Sequence, residues 1–194
     1  MKKVNLLKKV SAVALSAVLL ISAAFPAFAE SPETPKITTV NYTVTYHQSA
    51  ARDSLRLVNN FRTSKTDAWY WNKDDQTKTE FNTGSNKTLS AFEYDYDLEK
   101  VAMQRAAEIA LSFSHTRPDG QAWSTALKEF QYTSYNAAGE NIAVNYSKDA
   151  ESAMTQATAQ WREDDKNYSG QGHRRSMLST SFTKIAIACV QYDG

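Results

Sequence analysis

Cysteine is nearly missing from the sequence: Cys189 is the single example among 194 residues. One cysteine excludes an internal disulfide framework and any metal site built from several cysteines. An excess of one charge is also lacking, because 22 lysine and arginine residues face 21 aspartate and glutamate residues. Nucleic-acid-binding domains usually carry a clear basic excess, so we predict no nucleic-acid partner. The six glycines form no glycine-rich loop, which argues against phosphate chemistry.

Long apolar runs are absent as well, with one partial exception near the N-terminus. Residues 10–25 carry no charge but fall short of the ~20 residues that span a bilayer. Four lysines precede this run, and Ala27-Phe28-Ala29 follows it with the small-x-small pattern of a signal peptidase site. We therefore predict a signal peptide over residues 1–29, with a membrane anchor as the alternative. Cleavage after Ala29 would leave a secreted chain that meets the membrane only during export.

A linker and one domain follow this leader. Residues 30–36 are polar and contain two prolines, which predicts a flexible connection that we extend to residue 48. Residues 49–194 have ordinary globular composition and are predicted to form one domain. Removing the leader takes away four basic residues and no acid, so the secreted chain would carry 18 basic against 21 acidic residues.

Two long helices and one buried strand are predicted within the domain. Asp97 is a suitable N-cap for a helix that ends near Ser114, since a proline and a glycine soon follow. Ser147 can cap a later helix whose apolar stripe ends at Trp161. The β-rich apolar run over residues 185–192 suits a buried central strand. This mixture predicts an α/β fold.

Three short polar motifs fall where predicted elements end, and they contain His115, Glu140 and His173. The acidic pair Glu163 and Asp164 lies at the end of the later helix. Loops at the ends of elements often carry functional side chains. Two imidazoles facing carboxylates can bind a divalent cation such as zinc, or can transfer protons near neutral pH. No two histidines have metal-ligand spacing on one helix, so a surface or capping role stays open for each.

No nucleophile is evident. Cys189 lies in the most apolar predicted strand, where a thiol is usually an inert packing residue. Ser114 is followed directly by His115, but adjacent residues in a turn seldom form a nucleophile–base pair, and no G-x-S-x-G motif occurs. We therefore do not expect covalent catalysis.

The order of these motifs resembles the CAP superfamily, which joins cysteine-rich secretory proteins, insect antigen 5 and plant pathogenesis-related proteins. The segments that carry the resemblance are SFSHTRPDG, GENIA, WREDDKNY, GHRRSML and IAIACVQY, in that order. It extends over residues 51–194, and GHRRSML is the form found in bacterial-type members. The resemblance implies an α–β–α sandwich with a small antiparallel sheet between helices.

The resemblance also implies a cavity with two histidines and two acids. Three of these map onto His115, Glu140 and His173, and the fourth is an acid of the WREDDKNY segment. In relatives this acid lies three residues after the tryptophan, a position that Asp164 occupies here, with Glu163 as its neighbour. Family members have been associated with a divalent metal at the histidine pair, and some with sterol or lipid. We accordingly expect zinc or another divalent cation, and a small ligand, lipid or cell-surface component as partner.

Such domains usually continue with another strand, whereas this sequence ends at Gly194. Either the sheet has one strand fewer or the C-terminus is incomplete, and an unpaired edge would favour aggregation, which supports an incomplete C-terminus.

The leading hypothesis is a secreted binding or effector module with a cavity for a divalent metal or small ligand. The alternative is a metal-assisted hydrolase of peptide or cell-wall bonds, with Glu140 as general base. A third hypothesis is a surface interaction protein that makes contact through the polar stretch of residues 67–90, which Trp69 and Trp71 are predicted to hold down.

Overall fold

The computed structural model describes residues 12–21 and 41–192. The helices within these ranges are α1 (Gln48–Asp53), α2 (Leu55–Arg62), α3 (Tyr96–Leu111), α4 (Thr125–Glu129), α5 (Ala150–Arg162) and α6 (Gly172–Met177). The strands are β1 (Ala12–Ile21), β2 (Val44–Tyr46), β3 (Trp69–Trp71), β4 (Lys78–Glu80), β5 (Glu93–Tyr94), β6 (Ala138–Asn145) and β7 (Lys184–Tyr192). None of the described helices combines the length and the apolar character that crossing a bilayer requires.

The main sheet has the strand order β2-β7-β1-β6. β1 runs antiparallel to both β6 and β7, and β2 pairs antiparallel with the end of β7. β5 adds a short parallel pairing at the start of β7. β3 and β4 form a separate hairpin within the polar stretch of residues 67–90. Helices with a small, largely antiparallel sheet confirm the predicted α/β fold class.

β1 lies within the segment that the sequence predicts to be a signal peptide. The main sheet therefore includes two strands on the N-terminal side of the predicted domain boundary at residue 49, β1 from the predicted leader and β2 from the predicted linker. The rest of the leader, its cleavage site after Ala29 and most of the predicted linker lie outside the described residues, as does Gly194. Cleavage and an incomplete C-terminus both stay predictions.

β7 is the centre of the core because its two faces pack into different hydrophobic clusters. Ile185, Ile187 and Cys189 face a cluster that includes side chains of α1, α2, α5 and α6. Ala186, Ala188 and Val190 alternate with them and face a cluster formed largely by α3 and α4. Successive strand residues point to opposite faces of a sheet, so this alternation places helices on both sides. The sandwich and the buried strand are as the sequence predicts.

The two long helices confirm the predicted apolar stripes but not the predicted caps. Asp95 caps α3, with its side chain accepting hydrogen bonds from the backbone N–H groups of Asp97 and Leu98. Asp149 caps α5 in the same way, accepting from the N–H of Ser152. Both caps have extended backbone angles, which is the conformation that lets a short side chain reach back to the first turn. Periodicity located the helices, whereas several acids near each start left the cap ambiguous.

Cys189 is fully buried in β7. Burial raises the pKa of its thiol to about 12, which keeps it protonated at neutral pH. A protonated, inaccessible thiol is a poor nucleophile, in agreement with a packing role.

Glu99 of α3 connects this helix to α1 and the sheet. Its carboxylate accepts hydrogen bonds from Arg52 (2.7 and 2.8 Å), Gln48 (2.7 Å) and the hydroxyl of Tyr94 (2.6 Å). Gln48 and Tyr94 also donate to the backbone carbonyl of Ile187 in β7. Although burial alone would raise the pKa of Glu99, the hydrogen bonds lower it from the ordinary 4.5 to about 2.

We expect this carboxylate to make the fold acid-sensitive. Between pH 4.5 and about 2 an unfolded chain binds a proton at Glu99 that the folded chain excludes, so stability is full above this window and falls as the pH drops through it. Urea unfolding across this range should show a steeper loss for the wild type than for Glu99→Gln. Glu151→Gln, at an exposed position of α5, is the control and should follow the wild type. Equal slopes for wild type and Glu99→Gln would contradict the assignment.

Candidate functional site

His115 lies in the turn that follows α3 and is held by Glu140 of β6. Its Nδ1 is 2.8 Å from Oε2 of Glu140. The imidazole is half exposed, with 52% of its side-chain surface open, while the glutamate side chain is completely buried. A carboxylate accepts hydrogen bonds, so Nδ1 is the donor in this pair and Nε2 is the ring nitrogen that lies away from Glu140. Among the described residues Nε2 has no hydrogen-bond partner, and it is free to meet a ligand.

A buried arginine fixes the glutamate in turn. Arg105 of α3 places Nε 2.7 Å from Oε1 of Glu140 and donates through Nη1 to Glu108 at 2.5 Å. Its Nη2 donates to the carbonyl of Ser114 at 2.9 Å, which anchors the turn that carries His115. Burial alone would lower the pKa of Arg105, but the hydrogen bonds to Glu140 and Glu108 raise it overall. The guanidinium is therefore charged and neutralises the buried carboxylate of Glu140.

The network extends from Glu108 to the loop beyond His115. Arg117 donates to Glu108 at 2.6 Å and to Glu129 of α4 at 2.5 and 2.9 Å. Its backbone N–H bonds to the carbonyl of Gln121, which closes the loop on itself. The position of His115 thus depends on charged groups that are buried beneath the surface.

His173 forms the second histidine–glutamate pair, with Glu163. Its Nδ1 is 2.6 Å from Oε1 of Glu163, and the other carboxylate oxygen accepts from the backbone N–H of Arg174 at 3.2 Å. Glu163 ends α5 in the left-handed region, with φ 49° and ψ 42°. A non-glycine residue is uncommon there, and the conformation directs this side chain back towards α6. Again, Nε2 has no hydrogen-bond partner among the described residues.

Asp164, the acid that the resemblance places in the cavity, pairs with arginines instead. Its Oδ1 accepts from Arg174 at 2.6 Å, and its Oδ2 lies 2.9 Å from Nε of Arg162. Half of its side-chain surface is exposed. Of the two neighbouring acids, Glu163 therefore contacts a histidine and Asp164 does not. Both acids nevertheless line the groove that is described below.

β6 connects the two pairs through neighbouring residues. Glu140 points towards α3 and His115, whereas the side-chain amide of Asn141 donates to the backbone carbonyl of His173 at 3.2 Å. These neighbouring residues therefore connect β6 both to the turn that carries His115 and to α6, which carries His173. In the part of the chain that the structure describes, no three histidine, cysteine, aspartate or glutamate side chains are grouped to hold a metal ion. The described contacts are two histidine–glutamate pairs, His115 with Glu140 and His173 with Glu163.

A groove of about 670 Å³ runs beside β6 and includes His173 and Glu163 in its wall. Phe113, Val144 and Trp161 supply much of its apolar lining. Phe113 is 54% and Val144 38% exposed, so part of this apolar lining is open to solvent. The indole N–H of Trp161 is buried and has no hydrogen-bond partner among the described residues. The groove therefore offers apolar surface and a histidine.

Arg105 is a residue of this region that the sequence analysis missed. Arg105 occupies a position within the apolar stripe of α3, three residues after Ala102 and four after Val101, and is fully buried. A charged residue within an apolar stripe needs a buried partner, and this was the available signal. For Arg174 the signal was the cluster of acids at the end of α5, which needs a cationic partner, and Arg174 does pair with Asp164 there.

Comparison with known proteins agrees with the motifs. The family model described as the cysteine-rich secretory protein family, CAP, matches residues 55–194. This range covers most of the chain and contains both histidine–glutamate pairs. No curated protein and no solved structure matches the chain. Since the match extends from α2 to the end of the sequence, the chain belongs to the cysteine-rich secretory protein (CAP) family.

Proposed function

We propose that this protein is a secreted binding module in which the histidine–glutamate pairs and the adjoining groove hold a divalent cation or a small ligand. The observation that carries the proposal is the shared geometry of the pairs. Each imidazole is oriented by a carboxylate at Nδ1 and keeps Nε2 available. CAP family proteins are generally extracellular, which supports secretion.

The donor chemistry fits a divalent cation of the zinc type. Histidines that bind zinc commonly donate their other ring N–H to a carboxylate, which orients the ring and makes the free nitrogen more basic. His115 with Glu140 and His173 with Glu163 both have this arrangement. A bound cation would supply positive charge to which an anionic or neutral donor group of a ligand could bind. Without a third protein ligand, the expected site is open and its affinity modest.

The groove gives the proposal its second component. An apolar ligand body can lie against Phe113 and Val144, while a polar end meets His173. Small-molecule sites usually combine an apolar lining with few polar groups that set orientation. A small amphipathic ligand therefore suits this surface better than an extended, highly charged one.

We expect zinc binding to depend on both histidines. Isothermal titration of zinc into the purified protein should show binding that falls by at least about tenfold in the His115→Ala plus His173→Ala double variant, since each ring nitrogen contributes a ligand. Glu163→Gln should weaken zinc binding by its effect on His173 and should leave His115 unaffected. The amide would no longer orient the imidazole of His173 as the carboxylate does.

His47→Ala is the matched control for this titration. His47 precedes α1 and its Nε2 lies 3.2 Å from the side-chain oxygen of Gln191, so it belongs to neither pair. The control removes a histidine and should leave zinc affinity unchanged. Equal affinity in the wild type and the double variant would remove the metal component of the proposal.

The alternative of a metal-assisted hydrolase requires Glu140 to act as general base. Both of its oxygens lie against Arg105 and His115, and its side chain is completely buried. A general base must reach the water or substrate whose proton it takes. The geometry suits an orienting role for Glu140 better, and the hydrolase stays the second hypothesis.

A further inference from the structure

A cavity of about 310 Å³ lies where the segment before β5 meets the loop between α6 and β7. Two cationic side chains line it, Arg62 at the end of α2 and Lys87. We infer that this cavity binds a small inorganic oxyanion of the phosphate or sulfate type through these two side chains. The inference is independent of the proposed ligand site, and its residues all belong to the predicted domain.

Arg62 is a buried arginine whose protein partners are all neutral. The arginines that are buried among the described residues are Arg62, Arg105, Arg117 and Arg174. The last three each form an ion pair with a glutamate or an aspartate. Arg62 is only 3% exposed, and no carboxylate of the described residues lies within ion-pair distance of it. Charged side chains are seldom fully buried unless they are paired, so this guanidinium is suited to attract an anion.

The guanidinium borders the cavity with its Nε and Nη2 groups. Nε donates to the carbonyl of Ser90 at 2.7 Å and Nη2 to the carbonyl of Phe182 at 3.0 Å, and both residues line the cavity. Nη1 donates to the carbonyls of Met177 and Ser179, which are not part of the lining. A guanidinium has five N–H groups, and four of them bond to these carbonyls. One N–H of Nη2 is therefore left to meet a ligand on the cavity side.

The surroundings leave Arg62 charged but without a carboxylate to stabilise that charge. Burial lowers its pKa from 12.5 to about 10, so the side chain is still a cation at neutral pH. In contrast, hydrogen bonds to Glu129 and Glu108 raise the pKa of Arg117. Hydrogen bonds between two charged groups are stronger than those to neutral carbonyls. An oxyanion would give Arg62 the kind of partner that the other buried arginines have.

The rest of the lining consists largely of hydrogen-bond donors. Lys87 is exposed and forms no ion pair with the described residues. Four side-chain hydroxyl groups line the cavity and have no hydrogen-bond partner within the described ranges: those of Thr88, Ser90, Thr180 and Thr183. Glu93 is the one acid of the lining, against two cations. A phosphate or sulfate ion offers several acceptor oxygens, which matches this set of donors, and the volume suits a small ion with its waters.

Calorimetric titration of phosphate, and separately of sulfate, into the full-length protein tests the inference. Ionic strength is held constant with sodium chloride, so that charge screening stays the same. We expect one site per chain in the wild type. Lys87→Gln should raise the dissociation constant at least about fivefold, because a charged donor is lost. Lys128→Gln, at an exposed position of α4, removes the same charge elsewhere and should bind like the wild type.

Thr180→Glu is the stronger test, because it alters the cavity at an exposed position and keeps Arg62 in place. The new carboxylate repels an oxyanion and competes with it for Arg62, so binding should be lost. Lys128→Gln controls for this variant as well, since both change the net charge by one unit in the same direction.

Thermal melting provides a second measurement. Phosphate at ten times its dissociation constant should raise the melting temperature of the wild type by about 3–6 °C over chloride at equal ionic strength. Thr180→Glu should show no such rise. If neither Lys87→Gln nor Thr180→Glu changes the affinity, the protein binds an adventitious ion only. That result would overturn the inference, as would the absence of saturable binding in the wild type.

Discussion

Replacing Arg105 by methionine should destabilise the protein more than any other single change at the site. The guanidinium and the side chain of Glu140 are both completely buried, and Arg105 also pairs with Glu108. Removing one partner of a buried ion pair leaves a charge without compensation, which costs about 3–5 kcal/mol. We expect urea unfolding of Arg105→Met to show this loss relative to the wild type.

The double variant Arg105→Met plus Glu140→Gln separates charge from packing. It removes the uncompensated carboxylate, while Glu108 keeps its pairing with Arg117. We expect the double variant to be more stable than Arg105→Met alone, because a neutral amide is less costly to bury than a carboxylate. Arg56→Met, at an exposed position of α2, controls for the loss of an arginine and should change stability little. A loss in Arg105→Met no larger than in Arg56→Met would contradict the ion-pair account.

Arg174→Met is expected to have the next largest effect. This arginine is completely buried, and its guanidinium donates to the backbone carbonyls of Trp69, Arg162 and Asp67. A hydrogen bond contributes about 1 kcal/mol net, so the loss of these three should cost about 3 kcal/mol. The loss should appear in urea unfolding and should release the hairpin of β3 and β4, because two of the carbonyls lie at its start.

Arg175→Met is the matched control, one residue along the same helix. Arg175 donates to the carbonyl of Tyr168 and lies over its ring, 4.1 Å from the centroid, but is only partly buried. Its replacement should cost about 1 kcal/mol, the typical net value of one hydrogen bond. Hydrogen exchange would locate the effect. In Arg174→Met, amides of residues 69–80 should lose protection, and if they keep wild-type protection the anchoring role is wrong.

The pattern of apolar residues along the sequence was what predicted the fold. α3, α5 and β7 each have an apolar pattern that matches the period of its element, and each is buried as predicted. The polar motifs also predicted functional side chains near the ends of elements: His115 lies in the turn after α3, and His173 lies in the first turn of α6. These features are local, because neighbouring residues along one element are sufficient to define them.

The contacts within the site could not be derived in the same way. Glu163 and Asp164 are adjacent acids, and the backbone angle at Glu163 decides which of them meets His173. Arg105 required a partner that lies 35 residues away in β6. The pairing of Ala12–Ile21 with β6 and β7 joins segments more than a hundred residues apart. Long-range pairing leaves no periodic trace in the sequence, so only the three-dimensional structure shows it.

Small side chains at the interface of α3 and β7 limit which substitutions this protein can tolerate there. Ala102 and Ala106 of the helix and Ala186 and Ala188 of the strand belong to one cluster, and all four are completely buried. Because these side chains are small, the helix and the sheet can approach each other closely. Arg105 directly precedes Ala106 in the helix. Close-packed interiors respond to a change of even one methylene group. Substitutions at these four alanines would therefore alter the reach of Arg105 towards Glu140, so the orientation of His115 depends on residues that carry no polar side chain.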